Sequence, residues 1–241
     1  MAGVILPFDR PLLRGVLIRR YKRFLADVAL ERDGGTVTVH VPNSGSMLTC
    51  SEPGSEVVLS DSGNPARKLP LTLELVRVAP GPYGWAGVNT ALPNALVAKA
   101  VGAGLVAELS GYRDLRREVT VEPGSRLDLV LEDGSRGCCL VEVKNVTLVE
   151  DGRALFPDAV TERGKKHLEV LARMHARGDR AVIFFLVQRP DGDSFGTADH
   201  IDPEYGKTLR RVLERGVELL AYRTRLSLQG AALAGPVRYS A

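Results

Sequence analysis

The sequence is short of several residue types, and each shortage excludes a class of protein. It has three cysteines, two of them adjacent (Cys138 and Cys139), and three thiols cannot all pair within one chain. This excludes a disulfide-built scaffold and predicts free thiols in a reducing cytoplasm. No stretch approaches the roughly 18 apolar residues of a membrane span, and the longest apolar run, residues 181–187, predicts a buried strand instead. We also find no secretory signal pattern at the start of the chain, and therefore expect no membrane partner.

Aromatic residues and net charge are also low. Aromatics make up 5% of the chain, with one Trp, which argues against a stacking platform for single-stranded nucleic acid. A net charge of +3 excludes a strongly acidic protein but does not by itself predict nucleic-acid binding. The positive charge is clustered, however: residues 10–23 contain six basic residues and no acidic one. This cluster is either a phosphate-facing patch or a solvated surface, and its candidate contacts are Arg19, Arg20, Lys22 and Arg23.

The first part of the chain has an all-β pattern. Short runs of β-branched and apolar residues alternate with Gly, Pro, Asn and Asp turns, and no long helical pattern interrupts them. This predicts an OB-like small barrel over residues 1–84, ending in the turn-rich segment 79–84. The predicted strands cover residues 16–18, 24–28, 36–41, 56–60 and 71–78.

The pattern changes over residues 85–241, where helices alternate with strands and predict a mixed sheet covered by helices. The fold class is therefore α/β with an all-β N-terminal part. Asp158 is the expected N-cap of the longest helix and Gly178 its stop, while Pro203 stands in the first turn of the last helix. The expected order is helix 93–106, strands 115–121, 127–131 and 139–143, helix 158–177, strand 181–187, a helix from 202 and strand 217–222.

Two of these strands carry the most informative residues, which are Asp128, Glu142 and Lys144. Glu142 and Lys144 share one face of their strand. We expect Asp128 to point away from a face formed by the leucines at 127, 129 and 131. The connecting segment is short, so the strands are expected to form a hairpin centred on Ser135, with residue 130 opposite 140 and 132 opposite 138. This register places two carboxylates and one ammonium at the same level.

That set of groups suits the hydrolysis of a phosphodiester. The carboxylates of Asp128 and Glu142 can hold Mg²⁺, or Mn²⁺, through hard oxygen ligands. Lys144 can position a water or neutralise charge in the transition state. The alternative is an amphipathic hairpin on which Lys144 merely pairs with exposed acids. The strands are expected to lie inside the sheet, where an unpaired carboxylate is costly, and this favours the functional interpretation.

Further candidates lie around this group. On the helix from 158, helical spacing predicts a basic stripe of Arg163, Lys166, Arg173 and Arg177. Val160 is predicted on its apolar face and His167 at the edge of that face, as a core or boundary histidine. Gln188, Glu108 and Glu118 are weaker candidates for polar or acidic groups at the site. Additional expected phosphate contacts are Arg67, Lys68, Arg113 and Arg117.

The motifs resemble a known family. Asp128 followed by Glu142-Val143-Lys144, together with the element order, resembles the PD-(D/E)XK nuclease core. Other segments are similar to the sugar fermentation stimulation protein A family, and the similarity extends over nearly the whole chain. They are residues 17–24, 40–47, 87–90, 93–94, 125–128, 141–148, 156–164 and 187–189.

The resemblance implies an OB-like domain at 1–84, a nuclease-like domain at 85–241 and largely non-specific binding to DNA, expected to be double-stranded. Two functions stay open. One is a metal-dependent nuclease whose site is formed by Asp128, Glu142 and Lys144. The other is a non-catalytic DNA-binding regulator of sugar (maltose) metabolism. The oligomeric state is left open, with a homodimer among the options.

Overall fold

The computed structural model describes residues 5–134 and 137–240, and its first large unit is a β-barrel. Hydrogen bonds join the strands in the order β4-β3-β2-β5-β6-β7, and a parallel pairing of His40 with Thr72 joins β4 to β6 and closes the barrel. The interior is aliphatic, with residues such as Leu17, Val39 and Leu73 fully buried. The strands are β1 (Ile5–Pro7), which lies outside the barrel, then β2 (Leu12–Tyr21), β3 (Leu25–Leu30), β4 (Thr36–His40), β5 (Glu56–Asp61), β6 (Leu71–Arg77) and β7 (Trp85–Gly87).

The second unit is a seven-stranded mixed sheet with the order β1-β16-β15-β13-β10-β9-β8. A separate four-stranded sheet, β11-β12-β14-β17, lies beside it. The strands are β8 (Asp114–Glu122), β9 (Ser125–Asp133), β10 (Gly137–Val146), β11 (Leu148–Glu150), β12 (Arg153–Phe156), β13 (Arg180–Val187), β14 (Ser194–Thr197), β15 (Glu218–Ser227), β16 (Gly230–Pro236) and β17 (Arg238–Tyr239).

Helices cover both faces of the large sheet, as the sequence predicts. The helices are α1 (Leu92–Gly102), α2 (Glu162–Ala176) and α3 (Pro203–Glu214). Apolar residues of α1, such as Leu96, pack in one core cluster with Val141 and Phe184. Those of α2 and α3, such as Leu168, pack in another cluster with Ile183. Successive side chains of β10 and β13 thus point alternately into one core cluster and the other.

The predicted start of the long helix and the predicted place of Val160 are wrong. The helix α2 begins after Thr161, whose hydroxyl accepts the N-terminal cap bond from Gly164, and not at Asp158. The carboxylate of Asp158 accepts a hydrogen bond from the Met47 amide instead. Val160 therefore precedes the helix and is 67% exposed rather than part of the apolar face. The helix predicted from 202 is observed as α3, with Pro203 in its first turn, and the Asp202 carboxylate accepts the cap bond from the Tyr205 amide.

Strands near the expected boundary at residues 84 and 85, and at the start of the described chain, connect the barrel to the large sheet. The pairing of the barrel sheet runs three residues further, through Trp85–Gly87. The N-terminal strand Ile5–Pro7 pairs with β16 of the large sheet. No helix within residues 5–134 and 137–240 has the length and apolar character needed to cross a membrane.

Gly45 lies where the barrel meets the second unit, and it leaves no room for a side chain. A Cβ atom there would come within 2.4 Å of Asp158 Oδ1. We expect Gly45→Ala to lower the free energy of unfolding by about 1–3 kcal/mol, as overpacking does. Gly102→Ala is the matched control, because nothing lies within 4 Å of its Cβ position, and it should be neutral or slightly stabilising. Urea denaturation of both variants checks this, and equal stabilities would contradict it.

Candidate functional site

Asp128 lies where strands β9 and β10 part. Their main-chain pairing runs from Asp133 opposite Gly137 to Leu129 opposite Val141 and stops there. The Asp128 carboxylate continues the connection, because its Oδ2 accepts a hydrogen bond from the Val143 amide at 2.7 Å. Its Oδ1 accepts from Asn94 Nδ2 at 2.6 Å, which ties the carboxylate to α1. The side chain is thus fixed by two elements, and it reaches toward β10.

The predicted register is observed. Val130 lies opposite Leu140 and Glu132 opposite Cys138, although the turn expected to centre on Ser135 lies outside the described residues. The leucines do not all share a face: Leu129 and Leu131 belong to the α1 core, and Leu127 to the α2 core. The leucines of β9 thus change face between Leu127 and Leu129. On the neighbouring strand β8, Glu118 lies at the same level and has a left-handed φ of 54°.

Glu142 and Lys144 lie together on the α2 side of β10. Lys144 Nζ donates to Glu142 Oε1 at 2.6 Å. With Asp128 they line a hollow of about 360 Å³, which we call the carboxylate hollow. The structure therefore brings the three predicted residues together.

His167 of α2 belongs to this group as well, which the sequence did not reveal. Its Nδ1 contacts Glu142 Oε1, and Lys144 Nζ lies 3.4 Å from the same nitrogen. Arg163 Nε donates to His167 Nε2 at 3.4 Å. Since a guanidinium can only donate, Nε2 accepts and the proton of a neutral imidazole lies on Nδ1, where it can donate to Glu142. The predicted boundary histidine thus orients the carboxylate of Glu142.

The two carboxyl groups have opposite pKa shifts. Burial, together with the charge of Glu142, raises the pKa of Asp128 to about 6. Burial would raise the pKa of Glu142 too, but Lys144 and His167 outweigh it and hold that pKa below its ordinary value. The repulsion between the two acids is one that a bound cation would relieve.

Unpartnered oxygen atoms suit a small cation. Glu142 Oε2 and Asn145 Oδ1 are buried and have no hydrogen-bond partner among the residues that the structure describes, and both residues line the carboxylate hollow. A bare divalent ion is smaller than a water molecule and can fill such a space. Within residues 5–134 and 137–240, no group of three or more His, Cys, Asp or Glu side chains is arranged to hold a metal. The carboxylates of Asp128 and Glu142 and the amide oxygen of Asn145 fit Mg²⁺, which typically takes one or two carboxylates and completes its shell with water and phosphate oxygens.

The barrel supplies one wall of the carboxylate hollow through Asn43 and Gly45. Arg20 holds this loop in place, because its guanidinium donates to the carbonyls of Asn43, Gly45 and Ser46 and its Nε donates to that of Arg23. Most of its N–H groups are used within the fold. Arg20 therefore shapes this wall, and the expectation that it contacts phosphate stays a prediction.

The other predicted basic residues are spread over the surface. Arg163 lines the carboxylate hollow, and Lys166 lies on the same exposed side of α2. Arg126, which the sequence did not single out, lies at the rim with Arg163. The remaining candidates do not line this hollow. Arg19 pairs with Asp27, Arg113 with Asp114, Arg67 donates to Thr72, and Lys22, Arg23, Lys68 and Arg117 are exposed.

The weaker acidic and polar candidates lie elsewhere. Glu108 accepts a hydrogen bond from the Tyr222 hydroxyl, and Glu118 pairs with Arg126. Gln188 lies beside Gly87 and Thr224 and does not line the carboxylate hollow. None of the three lines the carboxylate hollow, whose acidic residues include Asp128, Glu142 and Asp158.

An OB barrel joined to a mixed sheet with an acid-acid-lysine group defines a two-part architecture, and comparisons identify it. The family model "Sugar fermentation stimulation protein RE domain" matches residues 91–230, and "SfsA N-terminal OB domain" matches residues 18–88. The chain belongs to the sugar fermentation stimulation protein family, SfsA, which confirms the resemblance and the OB-like barrel.

Relatives in this family are similar over most of their length. The sugar fermentation stimulation protein homolog of Pelobacter propionicus is 60% identical, with 90% of this chain and 92% of the relative covered. The homolog of Geobacter sulfurreducens is also 60% identical, with 91% of each covered. Among solved structures, "The structure of Pyrococcus Furiosus SfsA in complex with Ca2+" matches with a TM-score of 0.87 and 26% identity over 100% of both chains.

The raised pKa of Asp128 predicts a pH dependence of stability in metal-free protein. The folded state holds this proton more tightly than the unfolded state, whose pKa is near 3.8. Stability is therefore lost as the pH rises from about 4 through 6. Relative to wild type, Asp128→Asn should gain about 2–3 kcal/mol of unfolding free energy between pH 3.5 and 7, measured by urea denaturation in EDTA.

Asp27 gives the opposite control. Its hydrogen bonds from Arg19 and Thr38 hold the pKa of Asp27 below its ordinary value, so its stabilisation is lost as the pH falls. Asp27→Asn should therefore lose stability relative to wild type as the pH rises over the same range. A parallel pH dependence in both variants would contradict the shift assigned to Asp128.

Proposed function

We propose that this protein is a metal-dependent phosphodiesterase acting on DNA, with Asp128, Glu142 and Lys144 as its catalytic group. The observation that carries the proposal is the unpartnered, buried Oε2 of Glu142 beside the Asp128 carboxylate and the Lys144 ammonium. Mg²⁺ or Mn²⁺, when bound, would polarise the scissile phosphate and acidify a water. The Ca²⁺ named for the Pyrococcus furiosus relative supports a divalent cation in this family.

Each residue has a role that its contacts support. Asp128, held by Asn94 and the Val143 amide, presents a fixed carboxylate to the cation. Glu142 uses Oε1 for Lys144 and His167, which leaves Oε2 for the cation. The Lys144 ammonium lies close enough to orient the attacking water and to offset negative charge that develops on the phosphate.

Binding is proposed to be largely independent of base sequence. Arg163 lies at the rim of the carboxylate hollow and Lys166 beyond it, and contacts from such residues to phosphates fix position without reading bases. The proposed partner is double-stranded DNA, and the proposed location is the cytoplasm.

Glu142→Gln tests the enzyme directly, because it keeps the side-chain volume and removes the charge. We expect Ca²⁺ affinity, measured by calorimetry, to fall at least about 100-fold. Cleavage of DNA with Mg²⁺ or Mn²⁺ should fall by a similar or larger factor, while DNA retention on a gel survives. Glu204→Gln, an exposed position on α3 paired with Lys207, is the control and should leave all three measurements unchanged. If wild type leaves every DNA and RNA substrate intact, the enzymatic proposal fails.

A second function, DNA binding without catalysis in the regulation of sugar metabolism, is favoured by a different observation. Arg163, Lys166, Arg173 and Arg177 are all exposed on one side of α2, and a binding surface needs no carboxylates. This function predicts a steep fall of DNA affinity with salt and no cleavage with any metal. A salt titration of wild type measures it, and a flat response would contradict phosphate recognition in both functions.

A further inference from the structure

A second hollow, of about 320 Å³, lies directly beside the carboxylate hollow. It lies between the turn that joins β8 to β9 and the first turns of α2. The two hollows share Arg126, Arg163 and His167 in their walls. A chain-like ligand bound at the carboxylates can therefore continue into the second hollow, which we call the basic hollow.

The charge of the basic hollow differs from that of its neighbour. Arg126, Arg163 and Lys166 line it, and none of the described carboxylates does. Asp128, Glu142 and Asp158, by contrast, all line the carboxylate hollow. One site thus suits a cation and the adjoining one suits an anion.

The cations of the basic hollow have only weak partners. Arg126 pairs with Glu118 at 3.1 Å, but the two side chains are 60% and 49% exposed, and such pairs contribute little. Lys166 Nζ reaches only the Gly124 carbonyl at 3.4 Å. An arriving anion would therefore replace weak contacts and water rather than a buried ion pair.

A buried hydroxyl adds a donor at the wall. The Ser125 Oγ is buried and lines the basic hollow, with the Glu122 carboxylate as its hydrogen-bond neighbour. Glu122 is also paired with Arg173. A hydroxyl can rotate, so Ser125 can turn from Glu122 to donate to a phosphate oxygen in the hollow.

We propose that the basic hollow binds the backbone phosphate next to the one held at the carboxylates. The ligand is thus a polynucleotide strand that leaves the site over Arg126 and Lys166, toward the β8–β9 turn and away from the barrel. This inference rests on the proposed binding of a phosphodiester at Asp128 and Glu142. It predicts that the protein distinguishes a ligand with two successive phosphodiesters from a ligand with one.

The test compares a thymidine dinucleotide with one phosphodiester and a trinucleotide with two, by calorimetry in the presence of Ca²⁺. Wild type should bind the trinucleotide about tenfold more tightly, the gain expected of charge-assisted contacts to one phosphate. In the double variant Arg126→Gln/Lys166→Gln that gain should fall below about threefold. Because Arg126 also lines the carboxylate hollow, dinucleotide affinity should fall too, but by a smaller factor than trinucleotide affinity. For longer single strands the salt slope should drop by about 0.7. Lys207→Gln, another exposed helical lysine, is the control.

The outcomes separate the two proposals. If neither ligand binds wild type, the proposed binding of a phosphodiester at Asp128 and Glu142 is contradicted, and so is the phosphate subsite in the basic hollow. If both bind and the double variant keeps the full gain, the subsite alone is overturned. Inorganic phosphate is the further probe: competition with the trinucleotide at equal concentration, lost in the double variant, would mean a free-phosphate site and would overturn the strand proposal.

Discussion

The hydrogen bond from the Val143 amide to the Asp128 carboxylate is the contact on which the site depends. It lies where main-chain pairing between β9 and β10 stops. The Asp128 side chain accepts the bond from the Val143 amide there, so the two strands separate without leaving that amide unpaired. Asn94 holds the other oxygen from α1. The carboxylate is thereby fixed beside Glu142, where burial and the charge of Glu142 raise the pKa of Asp128. A bound cation would relieve the repulsion between the two carboxylates.

The second constraint is the connection between barrel and sheet. Asp158 accepts from the Met47 amide at 2.9 Å, and the buried Arg189 guanidinium donates to the Thr49 carbonyl at 2.7 Å. From the barrel side, the Arg20 guanidinium donates hydrogen bonds to three carbonyls of the same loop. One loop of the barrel therefore becomes a wall of the carboxylate hollow. Gly45 is needed there because the Asp158 carboxylate occupies the space that a side chain would take.

The sequence predicted the local parts of this arrangement and missed the parts set by tertiary contacts. Strand alternation and a short connection were enough for the register that brings Asp128 to Glu142. Helical spacing placed His167 at an apolar edge, but spacing within one helix does not show which strand residue it will meet. Asp158 has the side chain of a good N-cap, yet a bond to a distant amide took precedence. The positive charge of Arg20 is evident from the sequence, but the main-chain carbonyls that accept its hydrogen bonds are not.

The central claim is that Asp128 and Glu142 share one divalent cation. Crystals soaked in Mn²⁺ and measured near its absorption edge test this most directly, because anomalous scattering locates the metal independently of the protein atoms. A cation shared by Asp128 and Glu142 should give one strong peak within bonding distance of an oxygen of each carboxylate, with Lys144 nearby but not bound. A peak that contacts only one of the two acids, or none between them in fully soaked crystals, would contradict it.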